Sequence, residues 1–260
     1  MSANLVRRLL AEAVGTFLLV GLGAGAFLAA TASGAGSVLL LVALGHALGL
    51  AVGIYAFGAI SGAHFNPGVT IALAATRRLP LVEAPMYIAA QLVGAVVAAL
   101  TLWATFGSFA ISHQLGQTVV AAPYNLWQGA LAEVVGTIVL VLAIFALAVD
   151  PRGAKAPVGL GIGLGLAAAI LTFGPVSGAS LNFARTFGPE LVTAIAGGTT
   201  HWSQLLVYLV APPVGAVAAA FGYDYIARPR AVNAVPEEAI VADQGPGRSG
   251  LARRRGSRTR

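Results

Sequence analysis

The sequence contains no cysteine. Disulfides, thiolate nucleophiles and cysteine-based metal sites are therefore excluded. Charge is nearly as scarce. Only 9% of the 260 residues are Asp, Glu, Lys or Arg, where a soluble domain carries about 25%. So few charges cannot cover a water-facing surface, which excludes an ordinary soluble enzyme, a nucleic-acid-binding domain and a disordered protein. What the chain has instead is apolar: 58% of residues are hydrophobic, and the mean hydropathy is +0.85. Its runs approach the ~20 residues that a helix needs to cross a bilayer.

The net charge of +6 is unevenly placed. Residues 227–260 hold eight arginines against Glu237, Glu238 and Asp243, while residues 1–226 are close to neutral. The high isoelectric point thus reports a tail, not a nucleic-acid-binding domain. Such a tail is drawn to anionic lipid at about 1 kcal/mol per residue near the surface. More simply, it keeps its end on the cytoplasmic side. It is read as a disordered basic segment, separate from a membrane domain over 1–226.

Long apolar segments lie at about 8–30, 38–60, 84–105, 127–149, 157–174 and 203–226. The first runs past residue 28 with no small-residue cleavage pattern, so it is read as a span and not a cleavable signal. Two shorter segments, at about 67–76 and 183–195, are too short to cross alone. Each follows a similar loop, SGAHFNPGVT at 61–70 and SGASLNFART at 177–186.

The chain repeats itself. AEAVGTFLLV at 11–20 matches AEVVGTIVLV at 132–141, an offset of 121. LVGAVVAA at 92–99 resembles PVGAVAAA at 213–220 at the same offset, and the two loops match at 116. Each repeat (about 8–105 and 127–226) reads as helix, helix, broken short helix, helix. Three full spans per repeat is an odd number, so the second must enter the membrane inverted relative to the first. The predicted fold is an all-α membrane protein. Six transmembrane helices and two re-entrant half-helices form an inverted repeat.

The charges agree with that topology. Arg7, Arg8, Arg77, Arg78, Arg152, Lys155 and the tail arginines fall on one side. The opposite loops, about 31–37, 106–126 and 196–202, contain no Lys or Arg. The positive-inside rule makes the basic side cytoplasmic and places both termini there. The expected location is the plasma membrane. Arg185 is the one basic residue left over, inside the second broken segment.

Irregular backbone is tolerated at membrane depth only when buried in protein or lining a water-filled cavity. Two inverted breaks bring the N-termini of two short helices, their positive dipole ends, towards each other near the midplane. Asn66 and Asn182 occupy the cap positions. Either alone would be read as a helix cap. As a repeat-related pair, each offers an amide donor to a lumen while its oxygen caps the helix. Glu12 and Glu133 are repeat mates inside spans, where a carboxylate normally has a partner and a role. Bracing and proton relay are both open, although neither broken loop carries an acid. His113 and His201 are read as surface residues of the outer loops.

These residues resemble the major intrinsic protein family, the aquaporins and aquaglyceroporins, whose hallmark is a pair of Asn-Pro-Ala motifs. Here the motifs are Asn66-Pro67-Gly68 and Asn182-Phe183-Ala184, each departing at one position. AExxGT at 11–16 and 132–137, the stretch Tyr87…Gln91…Gly94 and the motif flanks also match, so the resemblance covers about 5–226. It implies that Glu12 and Glu133 hold the loop backbone and that His64 braces the loop or lines the pore. It also implies a homotetramer with one pore per subunit. Phe183 loses proline's preset φ and brings a larger ring towards the motif contact. Gly68 is a poorer helix residue than Ala by about 0.8–1 kcal/mol. Neither change removes a lumen donor.

The family's selectivity constriction uses four positions, which land on His46, Ile170, Ala179 and Arg185. His46 lies beside the small-residue stripe Gly45, Gly49 and Gly53. As a neutral imidazole it offers an acceptor to water or ammonia. Arg185 supplies donors and a barrier to cations. The set is similar to the filter of tonoplast-type aquaporins. Glycerol facilitators carry Asp where this chain has Thr186, a base where it has Glu190, and two filter aromatics where it has none.

The resulting expectation is a passive, non-enzymatic channel for water and small neutral solutes such as ammonia or urea. Its partners are those solutes and the lipid bilayer, with no cofactor, metal or nucleic acid. A glycerol facilitator is the second reading. An ion-coupled secondary transporter is a third, and it is opposed by the lack of Asp and Glu in both broken loops. No Ser/His/Asp or metal-ligand spacing supports an enzyme.

Overall fold

Lipid offers backbone groups no hydrogen-bonding partner, so each apolar run closes its bonds internally as a helix. In the computed structural model, which describes residues 3–153 and 157–227, helices follow in the order α1 (Ala3–Ala32), α2 (Val38–Ser61), α3 (Pro67–Ala75), α4 (Ala84–Phe106), α5 (Ser108–Ser112), α6 (Leu126–Ile144), α7 (Val158–Ser177), α8 (Phe183–Ile195) and α9 (Leu205–Ile226). Among the described residues six stretches are long and apolar enough to cross a membrane: Asn4–Ala32, Val38–Ser61, Leu81–Phe106, Leu126–Val149, Val158–Ser177 and Trp202–Ile226. The shortest, of 20 residues, reaches about 30 Å, the thickness of the hydrocarbon core. The half-helices α3 and α8 have 9 and 13 residues, about one membrane thickness only when taken together.

The described residues up to Tyr225 form one compact unit, and Ile226 and Ala227 are the only described residues beyond it. The basic tail and Lys155 otherwise lie outside the described residues. Three features differ from the sequence reading. The first span begins at Ala3 rather than near residue 8, because Arg8 is held within the helix. Its Nη2 lies 2.7 Å from Glu83, and its Nε donates to Tyr87 Oη. The loop at 106–126 contains the short helix α5. Finally, α6 passes into a π-helical turn at Phe145–Val149.

The usual solvent logic is reversed. Glu12, Thr16, Thr70, Gln91, Glu133 and Thr137 are fully buried, while Leu48, Leu131, Leu164 and Val214 are half exposed or more. With lipid outside, the polar groups must find their partners within the bundle. Helices α1 and α2 pack together, as do α1 with α4, α2 with α7, and α6 with α7. An apolar cluster seats α3 (Val69, Ala72, Leu73) against Tyr87 of α4, Val141 and Phe145 of the α6 segment, and Ala216 and Ala219 of α9.

Both repeats use the same close crossing. A Cβ at Gly94 of α4 would lie 2.1 Å from the Ala13 carbonyl oxygen, and one at Gly215 of α9 would lie 2.4 Å from that of Val134. The partners are related by the offset of 121, so the repeat in sequence is a repeat in helix contact. Gly94→Ala is therefore expected to force α1 and α4 apart, at an overpacking cost of about 1–3 kcal/mol. That outweighs the helix-propensity gain of about 1 kcal/mol. Gly222→Ala, with nothing within 4 Å of the added Cβ, keeps only the gain. Thermal unfolding in detergent should show G94A below the parent and G222A at or above it. Equal midpoints for the two variants would contradict the crossing.

Candidate functional site

The two broken loops run through left-handed backbone that non-glycine residues avoid. Ala63 and Phe65 have φ of 52° and 49°, and their counterparts Ala179 and Leu181 have 42° and 55°. Each such residue costs about 1–3 kcal/mol unless its surroundings hold it. Here a buried carboxylate does so. Glu12 Oε1 accepts from Ser61 Oγ (2.7 Å) and His64 N (3.0 Å), and its Oε2 accepts from Phe65 N (2.7 Å) and Gln91 Nε2 (2.8 Å). Glu133 Oε1 accepts from Ser177 Oγ (2.7 Å) and Ser180 N (2.9 Å), and its Oε2 accepts from Leu181 N (2.6 Å). Tyr87 and Tyr208 donate their hydroxyls to the carbonyls of Ser61 and Ser177. His64 Nδ1 lies 3.2 Å from Thr70 Oγ1.

The two asparagines cap the half-helices and also tie the loops to each other. Asn66 Oδ1 accepts from Gly68 N (2.8 Å), while its Nδ2 donates to Leu181 O (2.7 Å). Asn182 Oδ1 accepts from Ala184 N (3.0 Å) and Arg185 N (3.3 Å), while its Nδ2 donates to Phe65 O (2.9 Å). Each amide thus gives one hydrogen to the carbonyl just before the other asparagine, leaving its second hydrogen for whatever enters. Pro67 starts α3 at its first position, and Ala184 is fully buried.

Asn66 and Asn182 both line a cavity of about 440 Å³. One wall is apolar, with Leu50, Ile54, Leu140, Ile144, Ile162 and Leu166. The polar stripe consists of His46, His64, Asn66, Ser180, Asn182 and Arg185. No carboxylate lines it among the described residues, since Glu12 and Glu133 point into the loops.

His46 and Arg185 meet although 139 residues apart. Arg185 Nε donates to His46 Nε2 (3.2 Å), and Arg185 Nη1 donates to Gly116 O (2.7 Å). His46 Nδ1 lies 2.9 Å from Val42 O. Together these contacts fix the neutral tautomer with its proton on Nδ1. The acceptor expected to serve water or ammonia is therefore engaged by Arg185. Room for the ring comes from Gly23, where a Cβ would fall 2.2 Å from it. Ile170 and Ala179 share an apolar cluster with the cavity-wall residues Leu50, Leu140, Ile162 and Leu166. They are buried there with Phe65 and Leu181.

The motif departures lie away from the lumen. Phe183 is half-buried and packs on Phe187, with ring centroids 5.8 Å apart. A Cβ on Gly68 would sit 3.4 Å from the Pro212 backbone. Thr186 is buried in a hydroxyl chain, 2.8 Å from Thr118 Oγ1 and 2.6 Å from Ser180 Oγ. His113 and His201 are not free surface residues. The ring of His113 stacks on Phe109 at 4.1 Å, and His201 donates its backbone N–H to buried Glu190.

Sequence reasoning missed the Gly116 carbonyl, which has no side-chain signature, and the space left by Gly23. It also missed the tyrosine hydroxyls. A signal for these was present, because Tyr87 and Tyr208 stand at the repeat offset of 121.

A sequence model of the family described as major intrinsic protein matches residues 1–223. Aquaporin AqpM of Methanothermobacter marburgensis is 43% identical over 241 residues, covering 86% of this chain and 98% of its own. Aquaporin TIP4-4 of Zea mays is 42% identical over 230 residues, covering 85% and 87%. Among solved structures, the aquaglyceroporin from Plasmodium falciparum superposes with a TM-score of 0.80 at 29% identity, covering 86% of this chain and 98% of that one.

Glu12→Gln places an amide donor where two donors already converge, from Phe65 N and Gln91 Nε2. Gln91 can relieve its share by turning its buried, unpartnered Oε1 inward. Phe65 N has no such remedy. The expected loss is about 1.5–3 kcal/mol, the worth of a charge-assisted bond, read as a lower unfolding midpoint. Unchanged thermal stability would contradict the bracing role.

Proposed function

The chain belongs to the major intrinsic protein family, and from that premise we propose that its cavity is a passive path for water and small neutral solutes such as ammonia or urea. Membership makes it a multi-pass integral membrane channel of the aquaporin family and not an enzyme. The observation that carries the finer reading is a cavity with an apolar wall and one stripe of polar groups, with no acid in its lining among the described residues. Apolar walls leave permeating water few partners, so a single file follows the stripe.

At Asn66 and Asn182 a water molecule offers its oxygen to two amide donors beside two positive helix ends. Its hydrogens are then directed away on either side, which breaks a proton wire. Arg185 is a fixed positive charge on the path and repels cations. The lack of any carboxylate in the lining speaks against proton or ion coupling.

The selectivity filter in this reading is His46, Ile170, Ala179 and Arg185. Direct contact of His46 with Arg185 supports two of the four positions. The other two rest on their places in the sequence motif. Glycerol is the second reading, favoured by the likeness to the Plasmodium aquaglyceroporin. Against it stand the apolar Ile170 and Ala179 and the absence of aromatics among the four. The channel comprises residues 1–226, with a basic tail at 227–260 and both termini in the cytoplasm of a plasma-membrane protein. The apolar outer helix faces are compatible with lipid and with a homotetramer.

Stopped-flow light scattering of reconstituted vesicles under sucrose, glycerol, urea and ammonium gradients tests this assignment. Arg185→Ala should keep water flux within the same order but admit larger solutes or protons. An unchanged solute profile in folded protein would remove Arg185 from the filter. His46→Phe widens the apolar wall and strips Arg185 Nε of its acceptor. It should lower the ammonia-to-water flux ratio by about tenfold, the equivalent of about 1.4 kcal/mol in the barrier. The same ratio in both proteins would show that His46 does not set selectivity.

A further inference from the structure

We propose that Tyr223 and Asp224, at the end of α9, set the width of the basic-side mouth of the cavity by clamping the π-helical turn that lines it. The inference rests on reading the cavity as the water path.

α6 does not stop at a cap but widens into the π-helical turn Phe145–Val149. Such turns are rare and are frequently found at functional sites. Two residues of this turn, Leu147 and Ala148, line the cavity opposite Ile54 and Val158. The inverted repeat does not call for the turn. At the offset of 121, Phe145 corresponds to Ala24, where α1 continues as plain α-helix to Ala32. The feature is local to the second half and to one end of the path.

Among the described residues, one set of contacts on the turn leads to the end of α9. Phe145 is fully buried. Its ring lies 6.0 Å from that of Tyr223, edge to face, and 4.9 Å from the Arg78 guanidinium. Arg78 in turn forms a two-pronged pair with Asp224, both bonds at 2.8 Å. The turn closes through Asp150 N donating to Phe145 O (2.8 Å). The Asp150 carboxylate accepts from Tyr223 Oη (3.1 Å) and from the backbone N and Nε of Arg152, both at 2.9 Å. On the inner side Leu147 seats directly on the α7 backbone at Gly161, which has no side chain to displace it. A Cβ there would lie 2.5 Å from Leu147 Cδ1. Leu147 thus lies between the α7 backbone and the turn, and the clamp holds the turn that carries it at the mouth.

The Arg78–Asp224 pair is about one-third exposed, so it adds little to global stability. Its loss should be felt locally. The cysteine-free sequence permits a clean reporter, Leu147→Cys, in the full-length chain reconstituted in vesicles. Tyr223→Phe removes the bond to Asp150 but keeps the ring, and Asp224→Asn weakens the grip on Arg78. A methanethiosulfonate reagent is applied and labelling is followed by mass spectrometry, with osmotic water permeability and the unfolding midpoint measured in parallel.

In the L147C background, Y223F should accelerate labelling by about two- to tenfold, the range that one hydrogen bond commands. Y223F with D224N should accelerate it further. In the protein that keeps Leu147, Y223F and Y223F with D224N should both shift water permeability while the unfolding midpoint stays near the parent's. Unchanged labelling in the double variant overturns the clamp. Faster labelling with unchanged permeability shows that the turn is held but does not set the mouth, which also overturns the proposal. A parent protein that folds but conducts no water refutes the water-path reading instead, and the labelling rates still decide whether α9 holds the turn.

Discussion

The structure depends on a buried carboxylate meeting a strained loop at membrane depth. Glu12 and Glu133 are fully buried in a medium that penalises charge severely. Each is tolerated because backbone N–H groups converge on it. The loops need the carboxylate as much as it needs them. Left-handed Ala63, Phe65, Ala179 and Leu181 would otherwise relax, and their orphaned N–H groups would have no water to turn to. Two left-handed residues and one carboxylate form a mutually dependent unit, built once in each repeat. Where the loops go, the asparagines, the half-helices and the cavity follow.

Electrostatics then follow from placement. Both carboxylates are spent on backbone and turned from the lumen, so the cavity meets only their neutral dependants. Two half-helix N-termini and Arg185 leave the stripe positive without a compensating acid on its surface. His46 and the Gly116 carbonyl share the guanidinium between them, which holds its charge in one position. The same residues therefore hold up the fold and shape the field along the path.

Much of the fold was legible in the sequence, for a physical reason. Apolar run length reports membrane crossing because the bilayer has a fixed thickness, and six such runs became six helices. The half-helices were legible as runs too short to cross, each following a loop that recurs. The odd number of spans per repeat required inversion, and the glycine crossings at Gly94 and Gly215 carry that repeat into packing. The site was legible in part. Asn66, Asn182, Glu12 and Glu133 stood out because a polar group in an apolar run is costly enough to need a reason. Ile170 and Ala179 had no such signal. They look like wall residues, and they pack in the apolar cluster.

The sequence by itself determined that this chain crosses a membrane, how many times, in which inverted order, and which few polar residues lie within the span. These follow from composition and period, which are local properties read one segment at a time. Only the tertiary structure decided that each asparagine donates to the loop of the other repeat, that Arg185 takes the acceptor of His46 and the carbonyl of Gly116, and that α6 ends in a π-helical turn gripped by α9. Those contacts join residues as many as 139 positions apart, and several use backbone atoms that every residue shares. A carbonyl leaves no mark in the sequence. It becomes a ligand only when packing brings a donor to it.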